Sequence, residues 1–494
     1  MQRKRGQVQQ KSALEHIGGL VGPHRRTQQT VAFKTFPWQM SSQLVVAIVD
    51  SDMNVTKQRA AGALLLSLLV AYPGSAWALQ PLETFLDAAL AKNPDALLAK
   101  ATLRQREAEV SVEMSKLLPS FTGRGVYTRN QYAAEFSMPD VGTITITPKD
   151  QLDAFLTLDV PIIDLSQFAR YDAQKTQREV AKADLAVTER QLKEQVIRAY
   201  FTLAAVPALQ ESAQRSLESA QANLQVVKDR VDAGTAPDVD LAQAQANLAR
   251  AEQDVADVEL SRVLAMRQLE TLSRIPPQPP KGFPHDDLRT EAPLKQWLSR
   301  GMENLPELRA AELQVELAED SERAAAYAYL PTLSAQGQER ITNVTGFTGQ
   351  NTSYTLSATL SMRFDLSLPA QQRVASAAAD QSRAIAMRTQ RTAEDTIVEA
   401  WQRVKANIAK GRAARAQLKA ADRAASLTNE RYTVGAATQL DVINAQREAF
   451  DADVARIRSD LDLLQSRSVL RLAAGDADVA LNSIISTSPQ PAQP

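Results

Sequence analysis

The sequence predicts a mainly α-helical chain that carries a small set of membrane-type β-strands and consists of one structural unit written twice. Three observations lead there. Glycine is scarce, 18 in 494 residues, across long stretches rich in alanine, leucine, glutamine and arginine, residues that enter a helix at low cost. Short segments alternate apolar and polar side chains, the period of a strand. Residues in the second half repeat those of the first at fixed offsets, which marks a duplication.

Composition narrows the chemistry. With 44% hydrophobic and 23% charged residues the chain has an ordinary folding composition. The absence of cysteine removes disulfides, thiolate zinc sites and thiol nucleophiles. A balance of 56 basic against 57 acidic side chains, with 5% aromatics, gives no reason to expect a nucleic-acid partner.

Residues 1–52 show no periodic pattern and read as a doubtful leader, with Met53 the favoured start over an unusually long signal. Residues 53–78 read as an export signal: Lys57 and Arg59 form a basic region, Ala60 to Tyr72 an apolar run, and Ala76-Trp77-Ala78 a small-x-small cleavage site. The run falls short of the ~20 residues of a transmembrane helix; a buried N-terminal helix is the other reading. Removing residues 1–78 takes away 9 basic and 3 acidic side chains and leaves 47 against 54, a formal charge of −7. His285 is then the one histidine left, which leaves little equipment for acid–base or metal chemistry near neutral pH. No cofactor, metal site or catalytic residue is expected, and His285 reads as a solvated loop residue.

Each repeat then reads helix, two strands, long helix, tight turn, helix. Residues 79–275 form the first copy and 291–474 the second, joined by a proline-rich linker over 276–290. Pro94 recurs as Pro306 and Pro119 as Pro331, both 212 positions on, whereas Asp164 and Asp365, Tyr200 and Trp401, Gly234 and Gly435, and Asp240 and Asp441 lie 201 apart. The offset falls by 11, so the hairpin of the first copy is 11 residues longer.

The strands are clearest where Leu152, Ala154, Leu156, Leu158 and Val160 alternate with mostly polar neighbours, and again from Tyr354 to Phe364. Ser120–Tyr132 and Thr332–Thr342 are their weaker partners, with glycines where curvature or a bulge could sit. Segments of ~10 residues with one apolar and one polar face fit a membrane barrel, lipid outside and water inside; a soluble sheet on a core is the alternative.

The long helices run from Ser166 to Asp232 and from Ala370 to Val434, each on the order of 100 Å. The helices that follow carry coiled-coil seams, Leu241, Ala244, Leu248 and Ala251 in one and Ile443, Phe450, Ile457 and Leu464 in the other. Tyr200 and Trp401 share a repeat position suited to packing. Pro207 and Gly411 weaken the long helices, either as flex points or as irregularities that packing tolerates. Residues 475–494 read as a disordered tail.

Two strand pairs make four strands, too few to close a barrel, and an open sheet edge is not tolerated in lipid. Two, three or four copies would supply 8, 12 or 16 strands, so the arithmetic demands an oligomer without choosing its size.

The duplicated helix–hairpin–helix unit, the Leu-Pro before each strand pair, Val160-Pro161-Ile162-Ile163-Asp164, and two Gly turns each followed six residues later by Asp resemble the TolC family of outer-membrane channels from about Leu79 to Ala474. The resemblance implies a homotrimer with a 12-stranded barrel in outer-membrane lipid and a long α-helical tunnel across the periplasm. It implies as partners a periplasmic adaptor protein and an inner-membrane pump, and a passive channel without catalysis. The implied gate lies at the periplasmic helix tips, where the adaptor docks: Gly234, Thr235 and Ala236 in the first turn, Gly435, Ala436 and Ala437 in the second. In TolC a ring of aspartates narrows the opening; one of its positions falls on Asp441 and its companion on Asn444, with Asp240 the equivalent in the first copy. Tyr432 matches a tyrosine that helps tie the coils shut, while the arginine of that latch falls on Ala437, so the tether is expected to be weaker or rebuilt. Asp441 also suits the N-terminal end of a helix dipole.

The function expected is the outer-membrane exit duct of a tripartite efflux pump. Type I protein secretion uses the same fold and is the nearest alternative; a soluble periplasmic coiled-coil scaffold is the alternative of another class.

Overall fold

The computed structural model describes residues 79–139, 142–280, 282–283 and 286–475. The leader, the export signal, His285 and the tail beyond Gly475 lie outside the described residues. The element order repeats. In the first copy α1 (Leu82–Lys92) and α2 (Pro94–Ser115) precede β1 (Ser120–Arg129), β2 (Ala134–Met138), β3 (Gly142–Thr147) and β4 (Asp150–Ile163), then α3 (Leu165–Asp232) and α4 (Asp238–Ser273). In the second α5 (Leu294–Asn304), α6 (Pro306–Tyr327), β5 (Thr332–Thr342), β6 (Thr352–Ser361), α7 (Ser367–Thr433) and α8 (Gln439–Ala473) follow.

Where one leading helix is expected in each repeat, there are two. The residues before Pro94 and Pro306 are forced out of the helical region, Asn93 at ψ 135° and Leu305 at ψ 122°, as the proline ring requires of its predecessor. Proline then starts the next helix, where its missing N–H costs nothing. The last strand is also shorter than its alternation suggests: β6 ends at Ser361, so Met362 and Phe364 lie past it.

The long helices measure 68 and 67 residues, about 100 Å each. Pro207 lies within α3, which continues through it. Gly411 lies within α7 at a close approach, since a Cβ there would meet Leu288 at 3.0 Å; packing accounts for that glycine. Of the predicted seam residues, Ala244, Ala251, Ile443, Ile457 and Leu464 are buried between helices, and Leu241, Leu248 and Phe450 are half-buried. α3 packs on α2, α4, α6 and α8, and α7 on α6 and α8. Helix margins remain bare, with exposed Leu98 and Val112 on α2 and Val374 and Met387 on α7.

Two clusters anchor the short helices. Leu82 and Phe85 of α1 join Phe201 and Leu203 of α3, Leu269 of α4 and Leu472 of α8; Tyr200 sits in this cluster beside Phe85 and Phe201. Trp297 of α5 joins Ile397 and Val404 of α7 and Leu463 and Leu470 of α8. A Cβ at Gly301 would collide with Ile397, so glycine permits α5 to lie this close. Trp401 donates its indole N–H to the carbonyl of Ala292 at 2.9 Å, a packing role like that of Tyr200. The connection before α5 is held by buried Arg467, which pairs with Asp286 at 2.7 Å and with Glu291.

The four-stranded sheet has the order β1-β4-β5-β6, antiparallel throughout. Residues paired across strands share a face, so the register sorts the side chains. One face carries Phe121 and Tyr127, Leu156 and Leu158, Leu333 and Ile341, Tyr354, Leu356 and Leu360, with Glu339 and the terminal pair Arg129 and Asp150 as charged exceptions. The other carries Thr122 and Arg124, Asp153, Thr157 and Asp159, Gln336, Gln338 and Arg340, and five serines and threonines of β6, with Val126 and Phe155 as apolar exceptions. The polar face is cross-linked: Arg340 reaches Asp153 at 2.7 Å and Gln336 reaches Asp159 at 2.7 Å. Among the described residues nothing covers the apolar face. Leu356 is 77% and Phe121 69% exposed, while Asp153 is 7% exposed.

The glycines of β1 and β5 do not mark bulges. Both strands pair without a register shift against β4 and β6 respectively, and the one irregularity of the sheet falls at Pro161–Ile163. Leu156 and Leu356 lie instead over Gly123 and Gly337, where an added Cβ would meet them at 3.7 and 3.2 Å. The extra length of the first repeat forms the separate two-stranded hairpin β2–β3.

Candidate functional site

The two helix-pair turns are built alike from their glycines. Gly234 has φ +72° and Gly435 φ +79°, a left-handed conformation that glycine adopts without the steric cost of a Cβ. At the first turn the amide of Thr235 bonds back to the carbonyl of Arg230 and that of Gly234 to Val231, both at 2.8 Å. At the second, Ala436 bonds to Arg431 at 2.8 Å and Gly435 to Tyr432 at 3.1 Å. Both are Schellman closures, which satisfy the last carbonyls of α3 and α7.

The outgoing helices start differently. α4 begins after Pro237 with no side-chain cap, and Asp238 and Asp240 stand in its first turn, favourable to the helix dipole. α8 begins with a capping box. The Thr438 hydroxyl accepts from the amide of Asp441 at 3.2 Å, while the Asp441 carboxylate accepts from the Thr438 amide at 2.9 Å and hydroxyl at 2.7 Å. The bond from the Thr438 hydroxyl holds the Asp441 carboxyl below its ordinary value, helped by the Thr438 amide and by the charge of Arg431.

The predicted residues divide into two groups. Thr235, Ala236, Asp240, Tyr432 and Ala437 line one cavity of about 380 Å³ between the turns. Asp441 and Asn444 lie on an exposed face of α8 and do not line it, nor do Gly234, Gly435 and Ala436. Two further residues belong to the site. Arg230 stacks its guanidinium 4.4 Å above the ring of Tyr432, which is 6% exposed. Its Nη2 also lies 3.5 Å from the carbonyls of Tyr432 and Thr433. The cation thus bridges the end of α3 to the end of α7, beside Ala437, which offers no guanidinium. Gln439, the first residue of α8, is 2% exposed and neither of its amide atoms has a partner among the described residues. The repeat alignment sets Arg230 opposite Arg431, but Arg431 turns back to the carbonyl of Ala436 at 3.2 Å. The repeat therefore marks both arginines without telling which one crosses.

Among the described residues no group of three or more histidine, aspartate or glutamate side chains is arranged to hold a metal, and no helix is long and apolar enough to cross a membrane. The site is one of contacts between helix ends.

Comparison with known proteins agrees with this architecture. The sequence model of a family described as outer membrane efflux protein matches residues 85–273 and 297–476. The solvent efflux pump outer membrane protein SrpC of Pseudomonas putida is 24% identical over 420 residues, covering 80% of this chain and 85% of its own. The toluene efflux pump outer membrane protein TtgI, also of Pseudomonas putida, matches to the same extent. Among solved structures the CmeC outer membrane channel of Campylobacter jejuni superposes with a TM-score of 0.71 at 19% identity, over 82% of this chain and 89% of that one. That likeness is one of fold.

Proposed function

The chain belongs to the outer membrane efflux protein family, and from that premise we propose that three copies close into one passive conduit whose helix-pair turns form its periplasmic gate. Its place is the outer membrane and its role is that of an outer-membrane efflux channel. The observation that carries the rest is the sheet. Its apolar face is bare and its polar face hydrogen-bonded within itself, the arrangement of a barrel with lipid outside and water inside. Among the described residues both edge strands, β1 and β6, lack a second partner, and no unpaired edge survives in lipid. With four antiparallel strands per copy, β6 of one copy meets β1 of the next antiparallel, so the ring closes without a break in pattern. Three copies give 12 strands, within the bacterial range. The bare apolar margins of α2 and α7 await the same neighbours.

In this reading the long helices line a tunnel of about 100 Å that ends at the two turns. The turns are where a periplasmic adaptor docks, joining the channel to an inner-membrane pump that supplies the energy; the chain itself performs no catalysis. Asp240 and Asp441 of three copies would surround the opening, with Asn444 a turn further on, and draw cations toward it. The Arg230–Tyr432 stack takes the part of the latch that Ala437 lacks. The matches to solvent and toluene efflux components favour small-molecule efflux over protein secretion, and the bare apolar face of the sheet disfavours a soluble scaffold.

Conductance in planar bilayers tests this. The detergent-extracted protein should give a small, cation-preferring conductance. A cation–π contact contributes about 1 kcal/mol, so Arg230→Ala in all three copies should shift the closed–open balance by on the order of a hundredfold and raise the conductance. A trimer that never conducts, with either sequence, would overturn the proposal.

A further inference from the structure

The hairpin β2–β3 has no counterpart among the described residues of the second repeat and lies at the end of the sheet opposite the helices. Its register places Phe136 beside Ile144 on one face, and Glu135, Ser137, Thr143 and Thr145 on the other. The hydroxyls of Ser137 and Thr143 are 2.9 Å apart. The apolar face is laid across the end of the sheet, because Phe136 meets Phe347, in the β5–β6 connection, edge to face at 5.9 Å between ring centroids. That connection is itself tied to β4: Asn343 accepts from the amide of Leu152 at 2.8 Å and donates to the carbonyl of Asp150 at 2.9 Å. A held apolar apron therefore runs from the β1 edge, where the hairpin leaves the sheet, to the connection that leads into the β6 edge.

The apron is incompletely covered. Phe347 is 63% exposed and Phe136 46%, while Tyr132, at the foot of the hairpin beside β1, is 74% exposed. Tyr132 follows the edge strand β1, and Phe347 lies in the connection that leads into the edge strand β6. Given the trimeric reading above, on which this inference rests, β6 of one copy lies beside β1 of the next. The Phe347 side of one apron then faces the Tyr132 side of its neighbour. We propose that Phe136 and Phe347 of one copy and Tyr132 of the next form an aromatic seam, repeated three times around the outer mouth, as an interface between copies of this chain. Aromatic pairs favour such edge contacts, and the seam lies beyond the strand pairing that closes the barrel, so it would hold the mouth where the sheet no longer does.

The chain has no cysteine, which makes the test direct. Tyr132→Cys and Phe347→Cys, combined in one chain and treated with a short thiol-to-thiol cross-linker, should give covalent dimers and trimers on a denaturing gel. Either single variant should remain monomeric there. Independently, Phe347→Ser should lower the temperature at which the trimer dissociates in detergent while the helical circular dichroism is unchanged. A trimer that neither cross-links nor loses heat resistance would overturn the seam and leave these aromatics to outer-leaflet lipid. A protein that is not trimeric at all would overturn the reading beneath it as well.

Discussion

The Asp441 carboxylate is engaged by both the hydroxyl and the amide of Thr438, so the residue that would ring the gate also holds the start of its own helix. The two roles separate experimentally. Asp441→Asn keeps an acceptor for the cap and removes the charge, so it should weaken cation preference, read as a smaller reversal potential in a salt gradient, without unfolding the turn. An unchanged reversal potential would remove Asp441 from the ion path. The pH dependence has a definite sign. Its carboxyl lies below the ordinary aspartate value of 3.8 because it accepts from Thr438, so its contribution to the folded turn is complete above that value and is lost as pH falls through the lowered one. Cation preference should accordingly persist at pH 5 and fade only below about pH 3.8. Gln439 works in the opposite sense to the cap. An unpaired buried amide costs about 1–3 kcal/mol.

At the scale of the element, β6 makes the sheet's logic testable at neighbouring positions. Leu356 and Ser357 stand on opposite faces and both are exposed in the single chain, so exposure alone predicts the same tolerance at each. The membrane reading predicts opposite outcomes. Leu356→Arg places a charge in lipid, at about 2–4 kcal/mol per copy near the midplane, and should reduce heat-stable trimer in the membrane. Ser357→Arg places it in the aqueous lumen and should assemble normally. Equal outcomes would contradict the assignment of faces.

Much of this scale was legible in the residues. The alternation from Leu152 to Val160 and from Tyr354 to Phe364 marked the strands, the second overrunning β6, which ends at Ser361, and Gly234 and Gly435 marked turns that proved to need positive φ. The hairpin β2–β3 was legible only as a length difference, because its strands are 5 and 6 residues long and too short for a decisive period. The Arg230–Tyr432 stack and the buried pairing of Arg467 with Asp286 were not legible. Each joins residues far apart in the chain, and periodicity describes what a side chain's own element does, not what lies across from it.

For the whole molecule, the duplication accounts for the architecture. Each repeat supplies two strands to the main sheet and one long helix pair, and a single chain assembles from them a sheet with two open edges and a helix layer with two bare margins. Neither surface is stable alone in its medium: the edges need strand partners in lipid, and the apolar margins of α2 and α7 need burial from water. In the proposed trimer both needs would be met by one rotation of identical copies, so the strand arithmetic and the helix surfaces lead to one assembly. The most direct measurement of that claim is fractionation of the protein expressed from Met53, with separated inner and outer membranes washed in alkaline carbonate. Retention in the washed outer-membrane pellet, as a trimer that resists detergent, is the result expected of a chain whose apolar sheet face meets lipid. Recovery as a soluble periplasmic protein would mean that this face is covered by protein, and would contradict the account.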